Sequence, residues 1–220
     1  MTVSSYLPPD CQNTNNMLES IFMNQIILTI DNQLECIKKA ARSIKNGGVV
    51  LLPFDTVYGL ACDPQNDMAV RKIFELKSRP LDMTIGTACS SVEDIDQYAI
   101  LTKSNREYIA RLIPGPYTFI LPKKSSDISN LCIKNDSIAI RIPDSRLITN
   151  LIKACNGIIA QTSANISGAP TTYSLHELKD QFGKGIDNID LIIDQGEIFH
   201  NPVSKIIDLT GLKPIIIERS

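Results

Sequence analysis

The chain has 220 residues, of which 43% are hydrophobic and 21% are charged, and its formal net charge is -2. This composition predicts a folded core, and the near balance of charges excludes a global basic field that would hold nucleic acid or an anionic membrane nonspecifically. Six cysteines lie far apart with no CxxC pair, and there are two histidines, so we expect free buried thiols and no metal site. The first residues lack the basic and apolar regions of a leader peptide, and no apolar run reaches about 18 residues, so we expect a cytoplasmic protein with no membrane span.

The predicted elements begin after an N-terminal stretch rich in Asn, Ser and Pro. Residues 1–24 show no sustained periodicity and predict a loose extension, whereas residues 25–220 predict one domain. Residues 25–30 have the pattern of a strand. A helix should follow, with Asp31 as its N-cap and Gly47 after its last turn. The residues expected on its buried face are Leu34, Ile37, Ala41 and Ile44.

Short apolar runs and amphipathic segments alternate along the rest of the chain. The runs that predict strands cover residues 49–53, 84–88, 117–121, 137–142, 157–161, 190–194, 205–209 and 214–217. The segments that predict helices cover residues 66–77, 91–99, 102–113, 145–154 and 174–182. Strands interspersed with helices favour the α/β class, and the strand-rich final third favours a mixed parallel and antiparallel sheet with flanking helices.

Polar residues interrupt the ends of these elements at four places. In the first, Asp55 and Thr56 follow the buried strand 49–53, and in open α/β sheets ligands tend to bind where strands end. In the second, Lys77 and Arg79 stand at the end of a predicted helix. Contact with the helix dipole and the last carbonyls is the simpler explanation for two cations there, and an anion site is the alternative.

The third and fourth places are an arginine within an apolar run and a loop of small hydroxyl residues. Arg141 lies between Ile140 and Ile142. If these isoleucines point into the core, Arg141 faces the opposite side, where it either binds a carboxylate or phosphate or is exposed to solvent. Residues 157–172 run from an apolar segment into hydroxyl groups and a glycine, a composition suited to anion binding and also typical of a polar turn.

No motif supplies a covalent nucleophile. The GxxxxGK[ST] and GxGxxG patterns are absent, and neither histidine stands beside a Ser or Cys motif. Anion-binding groups without a nucleophile favour chemistry that depends on positioning and charge stabilisation, as in nucleotidyl or phosphoryl transfer.

Together these stretches resemble the YrdC-like family of L-threonylcarbamoyladenylate synthases, in its short single-domain branch. The resemblance is carried in order by PFDTVYGL (53–60), KSRP (77–80), PGPYT (114–118), RIP (141–143) and SANISG (163–168). It implies a twisted mixed sheet with helices around a concave ligand-binding face. The implied reaction joins ATP, bicarbonate and L-threonine into threonylcarbamoyl-AMP and pyrophosphate, for threonylcarbamoyladenosine in tRNA.

The resemblance also implies roles for individual residues. Lys77 and Arg79 would hold the ATP phosphates and act as the catalytic residues, with Mg2+ accompanying ATP. The residues implied for L-threonine are Thr56, Arg141 and Ser204. Those implied for ATP, besides Lys77 and Arg79, are Ser137, Ser163, Asn165, Thr171 and Arg219. The product would pass to a downstream tRNA threonylcarbamoyl transferase complex.

Three departures from the family pattern bear on substrate binding. Phe54 replaces the usual Thr, and Lys205 follows Ser204 where Thr is common. Residues 81–91 contain neither the Asn-Pro-Leu stretch nor the nearby His of many relatives. Phe54 either packs against the core or reshapes the pocket.

Two other functions are compatible with parts of the sequence. An RNA-binding factor in tRNA or ribosome maturation would use basic residues on a concave face. The candidates are Lys38, Lys39, Arg42, Lys45, Arg71, Lys72, Lys123 and Lys124. The acidic balance, 5% aromatic residues and absence of Trp disfavour this function, because few stacking platforms are left. A carbamoyl-adenylate former related to hydrogenase maturation shares the fold, and a threonine requirement would separate it from the synthase.

Overall fold

The computed structural model describes residues 24–124, 127–199 and 204–217, which form a mixed β-sheet with helices on both faces. The predicted N-terminal extension lies outside the described residues except for Asn24, and so does Arg219. None of the helices in the described part of the chain has the length and hydropathy that crossing a bilayer requires.

The bounds of the elements follow the chain order. The strands in the described ranges are β1 (Gln25–Ile27), β2 (Val50–Pro53), β3 (Tyr58–Cys62), β4 (Gly86–Cys89), β5 (Tyr117–Pro122), β6 (Ile133–Lys134), β7 (Ser137–Arg141), β8 (Ile158–Ser163), β9 (Leu191–Asp194), β10 (Lys205–Asp208) and β11 (Ile215–Ile217). The α-helices are α1 (Gln33–Lys45), α2 (Asp67–Leu76), α3 (Val92–Tyr98), α4 (Lys103–Ala110), α5 (Arg146–Ala154) and α6 (Leu175–Phe182). Short 3-10 helices span Asn130–Cys132 and Gly183–Asn188.

The sheet contains both parallel and antiparallel neighbours. Its order is β1-β9-β2-β3-β8-β4-β7-β5-β10-β11, and β6 pairs with β7. The pairs β1–β9, β2–β9, β4–β7 and β5–β10 are parallel, and the remaining pairs are antiparallel. The predicted fold class, an α/β fold with a mixed sheet and flanking helices, is therefore confirmed.

The helices cover the two faces of the sheet unequally. On one face, α2, α3, α4 and α6 bury a core that includes Val70, Ile95, Ile109 and Leu178. On the other face, α1 and α5 bury a second core against β9, β2 and β3 and against parts of β8 and β4. Residues of β7, β5 and β10 do not belong to this second core. The α1/α5 face is thus open on its β7–β5–β10 side, where a cavity can form.

Strand β3 is the main element that the sequence pattern does not predict. It forms an antiparallel hairpin with β2, in which Leu52 pairs with Gly59, and every one of its residues is buried. A strand buried on both faces shows no alternation of polar and apolar residues, and the polar turn before it looks like the end of a strand. The polar residues that follow the apolar run 49–53 therefore form a hairpin turn between two strands.

Helix α1 differs from its prediction at its start and on its buried face. Its N-cap is Asn32 and not Asp31, and the Asn32 side chain closes the preceding turn by accepting from Thr29 N at 2.8 Å. Leu34, expected in the core, is 64% exposed. Gly47 follows the helix with a φ of +82°, as predicted for a C-terminal stop. The buried face of α1 is formed by Cys36, Ala40, Ala41 and Ile44.

The cysteines within the described residues behave as small apolar side chains. They are Cys36, Cys62, Cys89, Cys132 and Cys155, and all are buried with free thiols. Burial raises the pKa of each thiol, which keeps the thiols in their neutral, unreactive form.

Candidate active site

The turn between β2 and β3 carries the first predicted site residues. Phe54 N donates to Val57 O at 3.2 Å and closes the turn, which places Asp55 and Thr56 at its tip. The Phe54 ring packs over Gly59, where a Cβ atom would lie 2.7 Å from two ring carbons. Glycine is therefore required at position 59 for lack of space. Phe54 packs in the buried core, as one of the two alternatives predicted, and it also lines a cavity. That it reshapes the pocket stays a prediction.

Arg141 is buried at the end of β7. Its neighbours Ile140 and Ile142 point into the core, so Arg141 faces the opposite side, as strand alternation predicts. It is 3% exposed, which shows that the solvent-exposed alternative is wrong. Its Nη2 lies 2.6 Å from both carboxylate oxygens of Asp55, and its Nη1 lies 3.5 Å from Thr56 Oγ1. Burial lowers the pKa of the Arg141 guanidinium, and the Asp55 carboxylate opposes that shift.

Lys77 is buried and does not line the cavity that Phe54 lines. It stands at the C-cap of α2 and is 2% exposed. Its Nζ donates to Ser163 O at 2.5 Å, to Asn165 O at 2.6 Å and to Asn165 Oδ1 at 3.1 Å. These three oxygens match the three N–H donors of an ammonium. Burial, and to a smaller extent the charge of Arg79, lower the pKa of Lys77 to about 7.

The segment that follows β8 is held in shape by hydrogen bonds to and around Asn165. Ser163 Oγ donates to Asn165 Oδ1 at 2.6 Å, and Asn165 Nδ2 donates to Ala169 O at 2.7 Å. The backbone carbonyl of Lys77 accepts from Ser167 N at 2.8 Å. Lys77 thus anchors this loop through both its side chain and its backbone, and Asn165 shapes the loop from within.

Arg79 points into the cavity although it is two residues from Lys77. Ser78 lies between them with a φ of 48°, in the left-handed region, which turns the backbone and sends the two side chains in different directions. Arg79 Nη2 donates to Thr84 O at 2.7 Å. Its Nε is buried and has no hydrogen-bond partner among the described residues. Burial lowers the pKa of Arg79.

A cavity of about 490 Å3 lies on the part of the sheet face that α1 and α5 leave open. Its wall brings together five of the predicted site residues, Thr56, Arg79, Arg141, Ser163 and Ser204. Small residues of the sheet, Gly59, Gly86 and Ala139, also line it. The predicted threonine residues and part of the predicted ATP residues therefore share one cavity.

Thr118 and Gln161 are polar residues of the cavity wall that were not assigned a role from the sequence. Thr118 lies on β5, and its Oγ1 is 2.9 Å from Ser204 Oγ. Its place as the last residue of the PGPYT motif could have identified Thr118 from the sequence. Gln161 precedes Ser163 by two positions on β8, so strand alternation puts both on the same face of the sheet.

Ser137 and Thr171, predicted to contact ATP, do not line this cavity. Ser137 Oγ donates to Lys134 O at 2.6 Å in the turn between β6 and β7, and Thr171 Oγ1 donates to Tyr173 OH at 3.4 Å. Ser137 lies on the same face of β7 as Arg141, four positions away, which corresponds to about 13 Å along the strand.

The electrostatics of the cavity favour anionic ligands. Arg79 and Arg141 each have a buried Nε with no hydrogen-bond partner in the described part of the chain. A buried donor without an acceptor costs about 1–3 kcal/mol, so each donor favours a ligand that brings oxygen acceptors. Guanidinium groups match carboxylates and phosphates in geometry and charge. The cavity therefore offers the Arg79 cation to an anionic group. The Arg141 charge is balanced by Asp55, and its unpartnered donor suits a second group that brings oxygen acceptors.

A larger cavity, of about 670 Å3, is lined by other residues, chiefly of α2 and the region after α6. Arg71 and Lys72 contribute to its wall, and Lys72 Nζ pairs with Asp190 Oδ2 at 2.6 Å. The unpartnered buried donors found among the described residues belong to Arg79 and Arg141, which do not line it. We therefore place the candidate active site in the cavity of about 490 Å3.

Sequence comparison relates the chain to a protein family and to named relatives. The family model Sua5_yciO_yrdC, described as "Telomere recombination", matches residues 42–220. The chain is 35% identical over 197 residues to the threonylcarbamoyl-AMP synthase of Pyrococcus abyssi (strain GE5 / Orsay), covering 88% of this chain and 57% of that relative. It is 34% identical over 155 residues to the threonylcarbamoyl-AMP synthase of Enterobacter sp. (strain 638), covering 69% of this chain and 82% of that relative. The chain thus spans little more than half the length of the Pyrococcus relative.

Solved structures resemble the chain over most of its length. The crystal structure of P. abyssi Sua5 complexed with L-threonine has a TM-score of 0.77 and 34% identity, covering 88% of this chain and 56% of that chain. The crystal structure of E. coli YciO has a TM-score of 0.76 and 24% identity, covering 88% of this chain and 93% of that chain, and it shows the likeness of the fold alone.

Proposed function

The chain belongs to the Sua5/YciO/YrdC family, and we propose that it is an L-threonylcarbamoyladenylate synthase, which joins ATP, bicarbonate and L-threonine into threonylcarbamoyl-AMP and pyrophosphate. One observation carries the proposal: Arg79 and Arg141 line the same cavity, and each has a buried Nε without a partner among the described residues. One cavity that offers an arginine cation and, on a second arginine, an unpartnered donor suits a reaction between a polyphosphate substrate and a carboxylate substrate. The L-threonine complex of P. abyssi Sua5 supports the choice of amino acid.

We assign L-threonine to the Arg141 side of the cavity. Nε and Nη1 of Arg141 are the nitrogens that remain for the substrate carboxylate, because Asp55 lies against Nη2. The hydroxyl groups of Thr56 and Ser204 line the same cavity and can bond the polar groups of threonine.

We assign the ATP phosphates to the Arg79 side, with the Ser163 hydroxyl in the same wall. Mg2+ would enter with ATP as part of the substrate, since this ion typically bridges phosphate oxygens and keeps several waters. Lys77 is assigned a positioning role, because its Nζ is bonded to Ser163 and Asn165 and it lies outside the cavity wall.

The proposed chemistry needs no protein nucleophile. Bicarbonate takes up a proton and releases CO2 and water. The amine of threonine adds to the CO2 and loses a proton, which balances the proton taken up by bicarbonate, and gives a carbamate. A carbamate oxygen then attacks the α-phosphorus of ATP, the bond from that phosphorus to the β-phosphate oxygen breaks, and pyrophosphate leaves. Arg141 would hold threonine in place for the attack, and Arg79 would stabilise the charge that develops on the phosphates.

Direct assay of the product tests the proposed function. The protein is incubated with ATP, bicarbonate and labelled L-threonine, and both the adenylate and pyrophosphate are measured. We expect both products to depend on threonine. Equal pyrophosphate release when threonine is omitted, or when serine replaces it without loss, would contradict the assignment of threonine.

Replacement of Arg79 with Met should weaken the use of ATP. The variant loses the donor that we assign to the developing phosphate charge, and removal of one such donor typically costs about 100- to 1,000-fold in turnover. The Michaelis constant for threonine should change little, because Arg141 is untouched. Pyrophosphate release measured as a function of ATP, at saturating threonine, checks this result.

Arg71→Met is the matched control for this experiment, since Arg71 lies on α2 near Arg79 in sequence, is exposed and does not line the cavity. It should behave as the unmodified protein does. If Arg79→Met kept normal turnover and the unmodified ATP dependence, the phosphate role of Arg79 would be wrong.

We further propose that the reaction takes place in the cytoplasm and that the product passes to a transferase complex acting on tRNA. The eight basic residues considered for RNA binding do not line the cavity. If the chain binds tRNA, the binding should be weak, fall steeply with salt and be independent of ATP and threonine. Measuring tRNA affinity at several salt concentrations checks this expectation, and tight tRNA binding at physiological salt would instead favour the RNA-binding function.

A further inference from the structure

We propose that Asp55 is a positioning residue for L-threonine, which holds the Arg141 guanidinium so that its Nε and Nη1 are presented to the substrate carboxylate. The inference rests on the proposed function, because that function assigns Arg141 to threonine. Asp55 itself is not assigned a contact with substrate.

Asp55 binds Arg141 through one nitrogen of the guanidinium. A bidentate carboxylate uses two guanidinium nitrogens, one for each oxygen. In this structure both oxygens of Asp55 lie 2.6 Å from the same nitrogen, Arg141 Nη2. Nη1 has a 3.5 Å contact with Thr56 Oγ1, and Nε is a buried donor without a partner in the described residues. The pair therefore neutralises Arg141 and still leaves donors for a second acceptor.

Hydrogen bonds from backbone N–H groups hold Asp55 and the turn that carries it. Its Oδ2 accepts from Asp144 N at 3.1 Å, which ties the β2–β3 turn to the chain just after β7. The Phe54 N to Val57 O bond closes that turn from within. The side chains of Arg141 and Asp55 are 4% and 8% exposed. Because both partners are fixed before a ligand arrives, less side-chain entropy is lost when threonine binds.

Asp55 also acts on the charge of Arg141. Burial lowers the pKa of Arg141 and Asp55 opposes that shift, so the Asp55 carboxylate stabilises the charged guanidinium where water is excluded. Asp55 thus acts on threonine through Arg141.

Two substitutions change the charge and the position of the Asp55 side chain one at a time. Asp55→Asn keeps the shape of the side chain and removes its charge, and Asp55→Glu keeps the charge and moves the carboxylate by one methylene group. Both should raise the Michaelis constant for threonine by about tenfold or more, the effect of losing about 1.4 kcal/mol of binding, while kcat and the Michaelis constant for ATP change less than threefold. Threonine binding measured by calorimetry should weaken by the same factor.

The same substitution in an Arg141→Met background shows whether Asp55 acts through Arg141. Adding Asp55→Asn to Arg141→Met should leave the Michaelis constant for threonine unchanged relative to Arg141→Met alone. Thermal unfolding of all variants shows which are folded. If Asp55→Asn is not folded, Asp55→Glu replaces it in the comparison.

The outcomes distinguish this inference from the proposed function. Unmodified protein that binds threonine and makes no adenylate would contradict the function, and the binding of the variants would still test Asp55. Three results would each overturn the positioning role. The first is unchanged threonine affinity in a folded Asp55→Glu variant, and the second is additivity of the effects of Asp55→Asn and Arg141→Met on the Michaelis constant. The third is a fall in kcat with an unchanged Michaelis constant for threonine.

Discussion

Replacement of Arg141 with Met is expected to raise the Michaelis constant for threonine by about 100-fold or more. Hydrogen bonds to a charged group contribute about 1.5–3 kcal/mol each, and the variant loses every donor that we assign to the threonine carboxylate. It should also lose about 3–5 kcal/mol of stability, because removal of one partner leaves the buried Asp55 carboxylate without its cation. Initial rates of pyrophosphate release against threonine, and denaturant unfolding, measure the two effects.

Two variants serve as controls for this result. Arg146→Met removes an exposed arginine at the start of α5, outside the cavity, and should change neither quantity. The Asp55→Asn/Arg141→Met double variant should recover much of the lost stability and none of the threonine affinity. A folded Arg141→Met variant with an unmodified threonine dependence would show that the carboxylate binds elsewhere.

The parts of the fold that local periodicity governs could be predicted from the sequence. Alternation around Ile140 and Ile142 gave the direction of Arg141, and the polar interruption after residues 49–53 located the turn that carries Thr56. The family motifs then identified four polar residues of the cavity wall, Thr56, Arg79, Arg141 and Ser163. Strand β3 was missed because a strand buried on both faces lacks the alternation on which such predictions depend.

The contacts that organise the site could not be predicted, since they join residues far apart in the chain. Arg141 and Asp55 are separated by 86 positions, and Lys77 and Asn165 by 88. Local pattern suggested that Lys77 contacts the dipole of its own helix, yet its ammonium bonds oxygens at the end of β8. Burial across the sheet decides this partner, and burial follows from the packing of the whole chain.

The cavity also depends on an arrangement that no single motif encodes. Helices α1 and α5 cover the β9–β2–β3 side of one sheet face and leave β7, β5 and β10 uncovered. Gly59, Gly86 and Ala139 then leave room above the sheet that larger side chains would fill. The motifs supply the polar groups, and the incomplete helix layer supplies the space in which they meet.

Replacement of Lys77 with Met should lower turnover by about 100-fold while the protein remains folded. Met fills a similar volume, so the core should keep its packing, but Ser163 O and both Asn165 oxygens lose the donor that fixes them. The loop after β8 would then hold the Ser163 wall of the cavity less accurately, and a displacement of about 1 Å in a reacting site typically costs about 100-fold in rate. Pyrophosphate release at saturating ATP and threonine measures the loss.

The same variant tests the protonation of Lys77 through the pH dependence of stability. The pKa of Lys77 is lowered from its ordinary 10.5 to about 7 in the folded protein. Between these two values the unfolded chain binds more protons than the folded protein, so Lys77 makes the free energy of unfolding rise with pH. The stability of the unmodified protein relative to Lys77→Met should therefore increase from pH 7 to pH 9, as measured by urea unfolding in matched buffers.

Lys72→Met is the control for both measurements, because Lys72 lies on the same helix and pairs with Asp190 outside the candidate site. It should leave turnover unchanged. It should also leave the pH dependence of stability unchanged between pH 7 and pH 9. Near-normal pyrophosphate release from a folded Lys77→Met/Arg79→Met double variant would contradict the roles of both residues.

The Lys77→Met variant could instead lose activity while the pH dependence of its stability matches that of the unmodified protein. This result would mean that Lys77 keeps its proton and acts as a fixed cation. In that case the three oxygens around its Nζ, rather than its burial, determine its charge.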